Sequence, residues 1–396
     1  MLAWTYRVLY HRTMASLRAS AATLLCAALI VQGCSSSEDS PAGASSSSGG
    51  SSSGGSSSGA PPTNPGAGPA AGNPDGKCTP PAEAQLEDVS SPRTVVGDGS
   101  PASCTGDAFV AAVAKGGVIT FNCGDAPTTI TLTETAKIFN DTGPKIVIDG
   151  GGKITLSGGG KVRILYQNTC DKARVWTSSK CNDQPDPQLT LQNLTFVDGN
   201  ATGLEKGGNE GGGGAVYARG GRLKIINSRF FHNECDPKGS DVGGGAVRVL
   251  TNGESISRPV YVVGSTFGGK AGLGNTCANG GALSSIGTTW AVYNSLLSDN
   301  KAIGEGANSG QGGNGGAIYN DGNTYDHLEC GSLIEDNMAN EGGSAIFFVS
   351  NNKTGGITIK DSVLRRNPKG KFETSGFPGM FVIAKAPPTV EGSTIE

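Results

Sequence analysis

Charge of one sign, aromatic rings and histidine are all scarce in this chain. Lys and Arg number 31 and Asp and Glu 34, for a formal net charge of −3. The cations do not cluster, which excludes a nucleic-acid face. Aromatics make up 6% of the residues and there are three histidines, His11, His232 and His327, none beside a serine or cysteine that it could activate. No Cys-x-x-Cys pair exists, which argues against zinc. No Gly-rich loop runs into Lys-Ser/Thr, so a phosphate cradle is unsupported. The longest apolar run, Ala21–Val31, is too short to span a bilayer as a helix. Glycine is abundant, at 64 of 396 residues, but lacks the Gly-X-Y period of collagen.

What is present divides the chain in three. Arg7, Arg12 and Arg18 precede the apolar run, the layout of an export signal over residues 1–33, with Met14 as an alternative start to Met1. Gln32-Gly33-Cys34-Ser35 resembles a bacterial lipobox, which implies lipidation of Cys34 and a membrane as partner; ordinary signal cleavage with Cys34 incidental is the alternative. Residues 34–85 are rich in Ser, Gly and Pro and read as a flexible linker. The stretch from Ser35 to Lys77 has a root-mean-square reach of roughly 35 Å. Residues 86–396 carry the folded domain.

Of the 10 cysteines, Cys26 leaves with the signal and Cys34 takes lipid, which leaves eight. An even count in an exported chain reads as disulfides. Local loops favour Cys104–Cys123 and Cys170–Cys181. Cys235–Cys277 and Cys78–Cys330 are the pairing assigned to the other four.

The folded part repeats. Gly-Gly-Ala-Val-Tyr ends at Tyr217, and its copies end at Arg248, Ser284, Tyr319 and Phe347, at spacings of 31, 36, 35 and 28 residues. A second motif interleaves with it, as in Leu-Lys-Ile-Ile-Asn-Ser-Arg-Phe (223–230) and Ile-Thr-Ile-Lys-Asp-Ser-Val-Leu (357–364). The apolar alternation has period 2 and the glycines would ruin helices, so helical repeats are excluded. Stacked coils of short strands remain: an all-β fold, a right-handed single-stranded parallel β-helix, with a short helix over 107–114 capping its N-terminal end. Like positions then stack. Phe196, Phe230, Phe267, Leu297, Ile334, Leu364 and Ile395 form an inward column. Asn233, Asn300, Asn337 and Asn367 follow it as a ladder at a sharp bend, where Asn tolerates left-handed backbone and its amide bonds to the coils on either side. In the copy around Ser332, strict alignment turns His327 and Glu329 inward. A buried unpaired Glu is costly, so a bulge, or a disulfide holding Cys330 outward, is expected to intervene.

The stretch from about 90 to 396 resembles the pectate-lyase-like β-helix superfamily. Its Gly-Gly-Ala-Ile and Phe-x-x-Asn elements are similar to those of polymorphic outer-membrane proteins. That resemblance implies a polysaccharide-related role on the outer face of one sheet, but the superfamily holds lyases, hydrolases, tailspikes and adhesins. The Asp-Asp and Arg-Ile-Lys style clusters of pectin hydrolases and the Trp-x-x-Asp-His of pectate lyases are missing. The outward neighbours of the Gly-Gly-Ala strand give a ladder of Arg163, Tyr217, Arg248, Tyr319 and Phe347, rings and guanidinium groups suited to sugars and uronates. The alternative is that loops 167–187 and 304–314 cover this face. The next outward ladder adds one carboxylate, Asp321, where a glycosidase needs two. No calcium cage and no catalytic His, Ser or Cys constellation is found, so no catalytic residue, metal or cofactor is assigned. The expected function is a surface binding or adhesive module, for polysaccharide or another cell-surface component; a lyase or hydrolase of the same fold is the alternative.

Overall fold

The computed structural model describes residues 68–205, 210–251 and 259–396. The signal over 1–33, Cys34 and the linker up to residue 67 lie outside them. The described residues form a parallel solenoid of three sheets, with 17, 8 and 3 strands. Each coil contributes two consecutive strands to the longest sheet, such as Arg222–Ile226 and Arg229–Phe231. It then turns and contributes one to the eight-stranded sheet, such as Val247–Leu250. Strands of successive coils pair in parallel and in register, as in Val262 on Val292 and Leu283 on Ile318.

Stacking follows from the alternation. Phe196, Phe230, Phe267, Leu297, Ile334, Leu364 and Ile395 are register partners in one column. The three rings stack at 4.8 and 4.6 Å between centroids and are fully buried. One apolar core runs from Val96 to Met380. The expected helix is α1 (Gly106–Lys115), started by Thr105, whose hydroxyl accepts the Ala108 amide at 3.2 Å, and ended at Gly116 with φ of 65°. It sends Phe109, Ala112 and Val113 into the core.

Two side-chain ladders fix the bends. The asparagine ladder is Asn233, Asn275, Asn300, Asn337 and Asn367, each amide nitrogen donating to the next Oδ1 at 2.9–3.1 Å. The left-handed residue is not the asparagine but its predecessor: His232, Asp299, Asp336 and Arg366 have φ of 52–63°. That kink turns the next N–H away from the sheet, and the Asn of the neighbouring coil accepts it. Asn275 escapes the repeat spacing because seven residues, Gly268–Gly274, separate it from Phe267 where two separate the other rungs from the column. A serine ladder works the same way at the other bend. The amides of Ser228, Ser265, Ser295, Ser332 and Ser362 donate to the next serine Oγ at 3.0–3.3 Å. Each bend residue before them is left-handed, for example Asn294 at 49°.

All four expected disulfides are present, Cys78–Cys330, Cys104–Cys123, Cys170–Cys181 and Cys235–Cys277. The first corrects the linker boundary. Residues 68–85, read as part of the flexible linker, lie along the outer face of the longest sheet as a strap. The Gly72 amide bonds to Thr266 Oγ1 at 2.9 Å, and Asn294 brackets Cys78 through its N–H and C=O at 2.9 and 2.8 Å. Glycine permits this closeness: a Cβ on Gly76 would stand 2.6 Å from the Gly331 carbonyl oxygen.

Near His327 the expected bulge is absent, and the alternative holds: the Cys78–Cys330 disulfide ties Cys330 to the strap on the outer face. His327 pairs with Trp290 and Glu329 with Val292 in unbroken register, so both side chains point inward. The cost of burial is met by bonding within the interior. His327 Nε2 is 3.0 Å from Glu329 Oε1, and His327 Nδ1 is 2.8 Å from Asn320 Nδ2. Ser285 Oγ donates to Asn320 Oδ1 at 3.0 Å and accepts from Trp290 Nε1 at 2.8 Å. Only Glu329 Oε2 in this chain of groups lacks a partner.

Candidate functional site

The outward ladder of the eight-stranded sheet is real but closed. Its register is Tyr166, Tyr217, Arg248, Ser284, Tyr319, Phe347 and Phe381. Tyr166 stacks on Tyr217 at 5.3 Å, and Tyr319 on Phe347 at 5.1 Å. Arg163 is not on the ladder: it precedes the strand Leu165–Asn168, and Leu165 points inward opposite Val216. Its guanidinium instead lies over the Tyr217 ring at 4.7 Å and donates to the carbonyls of Glu210, Gly212 and Gly213. Burial lowers its pKa to about 10.

The five residues assigned to ligand binding are hidden. Arg163, Tyr217, Arg248, Tyr319 and Phe347 are 4%, 0%, 0%, 0% and 3% exposed. Loop 304–314 covers Tyr319 through Asn308, as the alternative anticipated, and two further loops close the rest. Gly212 and Gly213 sit on Arg163, and the Asp241 carbonyl receives Arg248 Nη1. A sugar cannot stack on rings that have no free surface.

At the mouth of this covered face, two carboxylates meet. Tyr319 Oη stands 3.4 Å from Asp241 Oδ1 and 3.2 Å from Asp321 Oδ2, which bounds the separation of those two oxygens at about 6.6 Å. Asp241 is exposed and Asp321 half-buried. Burial raises the Asp321 pKa; bonds from Gly322 and Asn351 oppose this, and the charge on Asp241 adds to it. Asp241 comes from a loop outside the repeat, so alignment of the repeats could not place it.

The accessible site is on the other side, along the outer face of the longest sheet. Val260, Val262, Trp290 and Val292 point inward, which turns Tyr261 and Tyr293 outward, both half-buried. Two clefts of about 490 Å³ each meet at Pro259 and Tyr261. One extends over Arg222 and Lys224 to Lys145, the other past Tyr293 and Asp326 to Lys385 and Thr389. The groove crosses eight strands, from the one holding Lys145 to the one holding Thr389, a length of roughly 34 Å at ~4.8 Å per strand.

No family model, curated protein or solved structure matches this chain.

The strap forms one wall of the groove. Lys224 Nζ donates to the carbonyls of Glu83 and Gln85 and to Glu87 Oε1, at 3.1, 2.8 and 2.7 Å, and Lys145 reaches Glu87 Oε2 at 3.0 Å. Burial would raise the Glu87 pKa, but the bonds from the two lysines outweigh it and hold it low. Tyr261 donates to Glu83 Oε1 at 3.0 Å. Burial, with Glu83 adding, pushes the Tyr261 pKa up to about 12. The same two causes raise Tyr293. At the far end Lys385 lies 3.9 Å from Asp326. The groove thus offers two rings with charged groups of both signs. The signal for it was in the sequence, since Val-Tyr-Val-Val and Trp-Ala-Val-Tyr each present a tyrosine opposite the inward residues.

Proposed function

We propose that this is an exported, lipid-anchored surface protein that binds polysaccharide or another cell-surface component. Its signal is residues 1–33, its anchor Cys34, and its body a right-handed single-stranded parallel β-helix of the pectate-lyase-like kind, capped at the N-terminal end by α1. The reading rests on the groove with Tyr261 and Tyr293, a long open channel fitted to a linear chain with ring faces to stack. Binding of the secreted protein to a polysaccharide panel tests it. Tyr261→Ala and Tyr293→Ala should each weaken binding roughly two- to tenfold with the fold retained, from about 0.5–1.5 kcal/mol for one lost stacking ring. Unchanged affinity in both would refute the groove. Cys34→Ala should abolish lipid labelling and membrane partition, and retained labelling would end the anchor.

Asp241 and Asp321 favour a second reading, glycoside hydrolysis. A separation of at most about 6.6 Å admits the spacing of roughly 5–5.5 Å used by retaining glycosidases. A half-buried acid with a raised pKa beside an exposed one fits the roles of proton donor and base. Depolymerisation lost in both Asp241→Asn and Asp321→Asn, with binding kept, would promote the enzyme over the binding module.

A further inference from the structure

The strap meets the solenoid in two unlike ways. Its first limb, 68–78, bonds to the backbone of the sheet. The Asn73 amide donates to the Asn294 carbonyl at 2.8 Å, and Asn73 Nδ2 to that of Gly331 at 2.9 Å. The Cys78–Cys330 disulfide closes that limb. The second limb, 79–92, has no such hold. Among the described residues, every bond from it to the sheet ends on a side chain, that of Tyr261, Lys224, Lys145 or Gln192. Its one buried side chain is the methyl group of Ala84, while Leu86 stands 50% exposed. Backbone bonding resumes where the Arg93 amide meets the Val118 carbonyl, just before the strand Thr94–Val96.

Residues 79–92 are thus an arm fixed at both ends and lightly held between them. The side chains of Lys145 and Glu87 remain 61% and 23% exposed, and ion pairs so open to water contribute little. Few buried apolar contacts and exposed hydrogen bonds mark a segment that opens locally while the rest stays folded.

The arm also occupies groups that a saccharide would use. Glu83 accepts the hydroxyl of Tyr261, where the two clefts meet. Lys224 Nζ donates to two carbonyls and one carboxylate of the arm, which leaves its side chain 12% exposed. Gln192 brackets Glu87, accepting its N–H at 2.9 Å and donating to its carbonyl at 3.1 Å. Lifting the arm would add all three side chains to the floor of the groove.

We propose that residues 79–92 are a tethered inhibitory arm, displaced by a bound polysaccharide that then reaches Tyr261, Lys224 and Gln192. The inference rests on the groove as the binding site. Tied at Cys78 and again at Arg93, the arm competes at a high effective concentration and cannot diffuse away. Only molecules with the arm lifted bind fully, so the apparent affinity is lowered in proportion to the open fraction. Glu83 belongs to the arm and not to the sheet, so its removal raises that fraction. A rigid supporting wall would respond with the opposite sign.

Binding of the full secreted protein to dextran, xylan and alginate tests this. Glu83→Ala should tighten binding about threefold or more, as the closed fraction falls. Binding that Glu83→Ala leaves unchanged or weakens overturns the arm and leaves the groove standing; no binding by either form overturns both. Hydrogen exchange on the protein without polysaccharide reads the arm alone. Relative to their unprotected rates, the Glu87 amide, held by Gln192, should exchange about tenfold or more faster than the Asn73 amide, held by Asn294. Salt at about 1 M screens the Glu87 ion pairs and should speed Glu87 further while leaving Asn73 unmoved. Equal protection of the two amides, or an equal effect of salt on both, would refute an arm that opens by itself.

Discussion

Replacing Phe230 by alanine removes the middle ring of a three-ring stack. Its neighbours stand at 4.8 and 4.6 Å, and none of the three is exposed. A buried Phe→Ala change costs roughly 3–5 kcal/mol, and each lost ring pair adds about 0.5–1.5 kcal/mol where it cannot repack. In a solenoid a coil contacts mainly its neighbours, so the loss should stay local. Native-state hydrogen exchange measures this coil by coil. Amides of strands 194–197, 229–231 and 266–268 should exchange about a thousandfold faster, from roughly 4 kcal/mol at 1.4 kcal/mol per decade. Those near Leu364, four coils along, should change little. A tenfold effect or less at the three strands, or an equal effect throughout, would refute the stacked-column account. Tyr217→Ala gives the matching control on the other face. Read from alternation alone it is an outer residue of small consequence. Fully buried between Tyr166 and the Arg163 guanidinium, it should cost nearly as much as Phe230→Ala.

Three further outcomes are expected. Asp198 has its pKa raised to about 6 by burial, with Glu234 adding to the rise and His232 opposing it, so the native state favours its protonated form. Stability from this group is present below its ordinary range and lost as pH rises through about 6. Asp198→Asn should therefore match the parent at pH 4 and exceed it by about 1 kcal/mol at pH 8, after allowance for solvent screening; a gain at pH 4 alone would reverse the sign. With all eight cysteines paired, thiol titration of the denatured, unreduced mature protein should find no free thiol, and two or more would refute the pairing. Pulling the protein from its tether against its C-terminus should lengthen it only by the segment beyond Cys330, because the Cys78–Cys330 bond closes a separation of 252 residues. Reduction should release a further length of roughly 850–900 Å at 3.3–3.6 Å per residue, and equal extensions before and after reduction would contradict the strap.

Much of the solenoid was legible in the sequence because its information is repeated. Seven copies of one inward position, each apolar, fix a column whose register no single strand could establish. The Gly-Gly-Ala corner and the Asn bend recur for the same reason, since every coil must make the same turns. Where a copy departs from the pattern, legibility fails: the insertion before Asn275 hid one rung, and Arg163 was placed on a ladder that belongs to Tyr166. The candidate site was less legible. Alternation tells inside from outside but not whether the outside is covered, and loops with no repeat of their own decided that Tyr217, Arg248 and Tyr319 are closed while Tyr261 and Tyr293 are open. Asp241 joined Asp321 in the same way.

The amino-acid pattern by itself determined the stack, its core and its bends, because these interactions link like positions one coil apart. Only the tertiary structure decided the course of the strap, the partners that sustain the inward His327 and Glu329, and the choice of open face. Those depend on contacts between segments that share no period, such as Cys78 with Cys330 or Asn320 with His327, where nothing in the spacing of residues encodes the meeting.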